Sequence, residues 1–268
     1  MTRFVVVPQW QGSPAARAML LVDGAEAIAG DLPRAATTRI EVPAEAGEAL
    51  DTGIRRFSAL SRIADALTAA LDDLDEPALV VGGDCGVAVP AIAHAASTHP
   101  GLAVVWFDAH GDLHTPATSL SGAFGGMALR ATFTETALPS SGAVAADRVV
   151  LVGARDLDEA ERAFVDTGAV RVLGTDTDAD AVAAAVVATG ADAAYIHVDL
   201  DVLDPAVLTG VGLPTPFGLR LDELTAAIRA VRDRLPLVGA SIAGFAPSSP
   251  AAAVDDLGTI LRIVGALA

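Results

Sequence analysis

Between Asp108 and His114 the segment DAHGDLH sets a carboxylate or an imidazole at every second residue, directly after the apolar run LAVVWF. A second segment, DLDVLDP, sets Asp199 and Asp201 two apart behind AAYIHV, and GGDCG places Asp84 and Cys85 behind ALVV. Acids crowded in this way repel one another, and burial penalises each charge. Residues two apart on a strand point the same way, so Asp108 and His110 share a face, as do Asp199 and Asp201. Asp112 follows where the strand gives way to loop. Four carboxylates and an imidazole converging at a sheet edge require cations between them. Oxygen-rich ligation with a little nitrogen suits a hard or borderline divalent ion, manganese before zinc. One such ion leaves the cluster negative, whereas two balance four carboxylates. The competing use of these aspartates is the capping of helices and turns in βα loops. Two such motifs at strand ends of one sheet favour the metal.

The elements that must position these groups are legible from periodicity. RFVVV, ALVVGGD, LAVVWFDAH, DRVVLVGAR, AVRVLG, AAYIHVDLD and LPLVGASIAG read as strands buried on both faces, the pattern of a parallel sheet. Ile54, Phe57, Leu60, Ile63, Leu67 and Leu71 recur at helical spacing, as do Leu224, Ile228, Val231 and Leu235, with Asp222 as cap and Pro236 closing the second helix. A final helix lies near LGTILRIVGAL. This alternation predicts an α/β fold: one domain over residues 1–268, a three-layer α/β/α sandwich with a mainly parallel sheet. In such sheets active sites lie beyond the carboxyl ends of the strands, where the unusual residues fall.

Composition sets outer limits. The 268 residues are 52% hydrophobic, enough for a large core. The formal charge of −17 argues against nucleic acid or an anionic membrane as partner. Cys85 is the only cysteine, so no internal disulfide forms, which fits a reducing compartment. The opening MTRFVVV is too short an apolar run for a signal peptide, and no stretch approaches the roughly 20 apolar residues of a membrane span. The expectation is a cytoplasmic protein.

The motifs together resemble those of the ureohydrolases, the arginase and agmatinase family. GGDCG is similar to that family's Gly-Gly-Asp-His, DAHGDLHTP to its Asp-Ala-His-x-Asp-x-Asn-Thr-Pro, and DLDVLDP to its Asp-x-Asp-x-x-Asp-Pro. GARDLDEAE resembles a further family segment, and the matches run in family order from about Gly82 to Pro247. The resemblance implies an arginase-like fold, a binuclear manganese site with a bridging hydroxide, and hydrolysis of a linear amidine or guanidine C–N bond. By position it makes Asp108, His110, Asp112, Asp199 and Asp201 ligands, with Asp108 and Asp199 bridging. Asp112 would also orient the hydroxide and move a proton toward the leaving amine. His114, Ser119, Ser121 and Asp158 fall at substrate-contacting positions, the last three at those that hold an amino acid's carboxylate and amino groups. As ordinary residues, the serines would build a loop and Asp158 would cap the helix before EAERAF. A small guanidino or amidino substrate and a homo-oligomer, trimer or hexamer, are implied as partners.

The departures are as specific. Cys85 stands at a usual histidine ligand position. Either it binds as a thiolate, which favours zinc, or it stays a neutral buried thiol and the first ion is held by what remains. One ion, or a different divalent ion, then becomes an alternative to two manganese ions. Gly125 replaces a histidine proton shuttle, Gly244 a glutamate that pairs with a guanidinium, and Leu213 a threonine near the same end. A guanidinium buried against leucine and glycine lacks a partner. The alternative function is therefore a catalytically impaired member with a binding, assembly or regulatory role.

Overall fold

The computed structural model describes residues 2–268. Among the described residues, eight strands form one sheet: β1 (Arg3–Val7), β2 (Thr37–Arg39), β3 (Ala78–Gly82), β4 (Leu102–Phe107), β5 (Val149–Val152), β6 (Arg171–Leu173), β7 (Ala193–Asp199) and β8 (Leu237–Ala243). Their order is β2-β1-β3-β8-β7-β4-β5-β6, and every pair is parallel. Eight α-helices connect or follow them: α1 (Leu20–Gly30), α2 (Phe57–Asp72), α3 (Ala88–Thr98), α4 (Ala128–Phe133), α5 (Glu159–Val165), α6 (Ala179–Val187), α7 (Leu221–Arg232) and α8 (Pro250–Leu267).

Strand alternation divides the core into two layers. Val105 and Phe107 of β4 face one cluster with Ile28 of α1, Val182 of α6, Ile228 of α7 and Ile260 of α8. Val104 and Trp106 face the other, with Leu60, Ile63 and Leu67 of α2, Ile92 of α3 and Leu129 of α4. Successive side chains leave opposite faces of a strand, so a continuous apolar run supplies both clusters. The three-layer α/β/α reading holds.

Each expected strand is present, though the edge strand β6 keeps only Arg171–Leu173 of the AVRVLG run. The sequence reading missed β2, a three-residue edge strand of polar, partly exposed side chains that carries no apolar signal. Two helix details differ. Helix α2 starts at Phe57, after the buried Ile54, and Arg56 before it is left-handed. Asp222 lies in the first turn of α7 and is not its cap; the Glu223 carboxylate instead accepts from the Arg220 N–H at 2.8 Å.

Candidate metal centre

Strands β3, β8, β7 and β4 are consecutive in the sheet, and their carboxyl ends deliver the unusual residues to one place. The chain passes from β3 to β4 across two strands added later. It thereby opens the crevice that parallel sheets use for ligands. Asp84 and Cys85 follow β3, Gly244 follows β8, Asp199 ends β7, and Asp108 follows β4. Asp201 sits in a 3-10 turn over Leu200–Val202, where its N–H donates to Asp199 Oδ1 at 2.9 Å. Because β4 ends at Phe107, Asp108 and His110 are held by turn bonds and not by strand pleat: Asp108 Oδ1 accepts from the His110 N–H at 2.7 Å. Asp112 adopts φ 51°, a left-handed conformation in which aspartate is tolerated better than most residues.

Five of the six expected ligands form two overlapping groups. Potential ligand atoms of Cys85, Asp108 and Asp199 lie within 4.8 Å of one another, as do those of Asp108, His110 and Asp201. Asp108 belongs to both. Cys85 Sγ donates to Asp199 Oδ2 at 2.8 Å, and His110 Nδ1 lies 3.0 Å from Asp201 Oδ2 and 3.4 Å from Asp108 Oδ1. The sixth, Asp112, is buried, and its Oδ2 has no hydrogen-bond partner.

The cluster's electrostatics follow from burial and like charge. Burial, then the Asp108 charge, pushes Asp112 well above the usual carboxylate range; burial, then Asp201 and Asp108, does the same to Asp199. Asp201 is pushed up to about 6 by burial and by Asp108. Burial also acts on Asp108, but the His110 ring and charge outweigh it and hold that carboxyl low. His110 in turn is pushed up to about 12, its burial outweighed by Asp108 and Asp201. Burial first, then Asp199, raises the Cys85 thiol. One imidazolium cannot balance four carboxylates. An orphaned buried oxygen, a crowd of like charges and a donor set of oxygens with one nitrogen and one sulfur all fit divalent cations.

Supporting residues escaped the sequence reading. Trp106 Nε1–H donates to Asp108 Oδ2 at 3.0 Å, and its ring packs 3.8 Å from the His197 ring, whose Nδ1 meets Ser241 Oγ at 2.7 Å. Arg155 donates to the carbonyls of Asp201 (2.9 Å), Val202 (3.3 Å), Leu203 (3.5 Å), Thr215 (2.7 Å), Pro216 (3.0 Å) and Gly153 (3.0 Å). It ties the Asp199–Leu203 turn to the loop carrying Leu213. Nothing in GARDL announces six carbonyl partners. Glu161, by contrast, was detectable as the fourth residue of a D-x-x-E capping box.

The rim places the remaining expected residues. His114 Nε2 lies 3.2 Å from Asp158 Oδ2, and Asp158 also caps α5, its Oδ1 accepting from Glu161 N–H at 2.9 Å. Ser119 and Ser121 brace their loop, accepting from Gly122 N–H at 3.0 Å and Ala123 N–H at 3.1 Å. Ser121 and His114 line the cavity above the acids, whose volume is about 250 Å³; Ser119 and Asp158 stand outside its lining. Trp10 stacks under the Arg56 guanidinium at 4.5 Å and does not line the cavity.

The fold and the cluster define a parallel α/β sandwich with an acid-rich group of candidate metal ligands at the carboxyl edge of its central strands. The Arginase family model matches residues 26–257, and the chain belongs to the arginase family. Arginase from Bacillus caldovelox is 32% identical over 211 residues, covering 72% of this chain and 68% of that one. The N(omega)-hydroxy-L-arginine amidinohydrolase of Streptomyces lavendulae is 32% identical over 195 residues, covering 71% and 68%. The native structure of the Bacillus caldovelox enzyme superposes with a TM-score of 0.82 at 26% identity, covering 100% of this chain and 98% of that one. Entamoeba histolytica arginase in complex with L-ornithine gives 0.85 at 19% identity over 99% and 97%.

Proposed function

We propose that this chain is a cytoplasmic, homo-oligomeric hydrolase, one domain over residues 1–268, that cleaves the C–N bond of a small amidine-like substrate with two manganese ions. The observation that carries this reading is the pair of ligand groups sharing Asp108, with the partnerless Asp112 oxygen between the same walls. Membership of the arginase family supports it. Cys85, Asp112 and Asp199 would hold one ion and His110 and Asp201 the other, with Asp108 and Asp199 common to both. Bound there, the ions would make water acidic near neutral pH and polarise the carbon under attack. Asp112 takes the proton of the attacking water and passes it to the departing nitrogen. His114 and Ser121 orient the far end of the substrate, with Ser119 and Asp158 supporting them from the rim.

The bare glycines at Gly125 and Gly244 favour a second reading, a non-catalytic member that binds without turnover. Metal analysis after purification, followed by assays for urea, ammonia and amine release over a guanidino, amidino and ureido panel with added manganese, separates them. Two ions per chain with turnover supports the hydrolase. Ions absent and no turnover across the panel sinks it.

A further inference from the structure

Every carboxylate that lines the cavity is already committed. Asp108, Asp112, Asp199 and Asp201 form the proposed cradle. Asp84 accepts from Gln9 Nε2 (2.8 Å), Gly12 N–H (2.8 Å) and Gly86 N–H (2.9 Å), so its oxygens tie the loop after β1 to its own turn through one side-chain amide and two backbone groups. Glu161 accepts from the N–H groups of Leu113 and Asp158, both at 3.2 Å. Asp158 at the rim is engaged by His114 and by its own helix.

Apart from Cys85, the acids, the two imidazoles, Ser13 and Ser121, the cavity lining is an apolar wall of Pro14, Ala15, Leu21, Leu213 and four glycines, Gly244 among them. Gly244 adopts φ +90°, and a Cβ placed there would stand 2.3 Å from Asp199 Oδ1. The Gly244 N–H is fixed to Gly83 O at 2.8 Å, so the backbone cannot swing aside cheaply. With the Asp199 carboxylate where it stands, a side chain at this position would have to displace it and strain the backbone, and the glycine itself offers the cavity no carboxylate.

A guanidinium brings a full charge and five N–H donors and has no acceptor of its own. Desolvated against this wall it would lose its hydration and find no acceptor among the wall's own side chains. An uncharged planar group of the same shape loses far less. We propose that the scissile group this pocket selects is uncharged: an N-acylated amidine or the isosteric ureide or amide, flanked by a short apolar chain lying against Leu21 and Leu213. The cavity of about 250 Å³ suits a small molecule, close to the lower end of the roughly 300–1,000 Å³ of typical ligand sites. This deepens the hydrolase reading and rests on it. Water supplies both halves of the reaction. Its oxygen forms the new C–O bond, the C–N bond breaks with its electron pair leaving on nitrogen, and a water proton ends on that nitrogen.

The test compares two isosteres that differ in charge, butylurea and butylguanidinium, on the full-length manganese-loaded protein. Affinity is read from the relaxation of ligand protons by the bound manganese, which does not require turnover. Butylurea is expected to bind at least tenfold more tightly, and Leu213→Glu, which adds a carboxylate at the mouth, should cut that preference at least threefold. Equal or tighter binding of butylguanidinium by the unaltered protein overturns the proposal. So does a preference that Leu213→Glu leaves unmoved. Product release is measured separately: hydrolysis of neither compound, nor of any amide or N-acylamidine, with the binding preference intact refutes the hydrolase reading and leaves the selectivity for uncharged ligands standing.

Discussion

Replacing Gly244 by alanine adds one methyl group, and the structure says where that group must go. Its carbon would lie 2.3 Å from Oδ1 and 2.9 Å from Cγ of Asp199. Two costs combine. The left-handed backbone costs an L-residue about 1–2 kcal/mol. Moving Asp199 away disturbs its bonds with Cys85 Sγ and Asp201 N–H, worth about 1–2 kcal/mol together. The total, roughly 2–4 kcal/mol, corresponds to about 5–15 °C of melting temperature in a domain of this size. Because Asp199 is displaced from the cradle, the manganese dissociation constant should also rise about 10–100-fold, the usual effect of disturbing a ligand's surroundings. Gly258 in α8 is the control, since nothing lies within 4 Å of a Cβ built there. Alanine at that helical position should stabilise by roughly 0.5–1 kcal/mol and leave metal binding alone. Thermal melts with and without manganese, and manganese titration followed by electron paramagnetic resonance, read both quantities. A Gly244→Ala protein that melts with the parent and binds manganese equally well would refute the steric argument.

Cys85→His should raise manganese occupancy, because burial and Asp199 keep the thiol protonated and a protonated thiol is a poor ligand; a fall in occupancy would show that Cys85 ligates as a thiolate. Arg155→Lys keeps a charge but loses the planar fork that reaches six carbonyls. It should cost at least about 3 kcal/mol and speed amide exchange in residues 212–218, whereas unchanged exchange there would remove Arg155 as the tie. Manganese at a hundredfold excess over its dissociation constant should stabilise the protein by about 2.7 kcal/mol, measurable as a melting shift that a chelator reverses; Asp108→Asn should abolish most of it, and a shift that survives would place the ion elsewhere.

The central strands and the acid cluster were legible in the sequence because two independent signals coincided. Apolar runs such as LAVVWF and AAYIHV are too short and too β-branched to be helices, and each ends in acids that no core would accept alone. Where signals were single, reading failed. The TTR edge strand has no buried face, so hydrophobicity could not reveal it. Asp222 looked like a cap by type, yet the helix begins two residues earlier than its position requires and Glu223 caps instead. The alternation of Asp108 with His110 pointed correctly to convergence but for a different cause, since turn bonds and not the strand pleat hold them. Arg155 and the Trp106–His197 pair were invisible because their partners are backbone carbonyls and ring faces contributed by distant segments. Type and spacing along one chain carry no record of those.

The proposed substrate wall and the acid cluster meet at Gly244, so that position cannot change alone. Gly244 sits between β3 and β7 in the sheet order and touches Asp199 through the space where a Cβ would be. Arg155 binds carbonyls of the Asp199–Leu203 turn and of the loop that brings Leu213 to the cavity. Adding a side chain at Gly244 therefore moves Asp199, and moving Asp199 disturbs the wall at that one point. A carboxylate to receive a cation could be introduced at Leu213, which is partly exposed, without touching the cradle. At Gly244 the same change would be read first as lost metal and only afterwards as changed selectivity. The order of those two losses in a titrated variant is what distinguishes a pocket shaped for an uncharged substrate from one that has merely decayed.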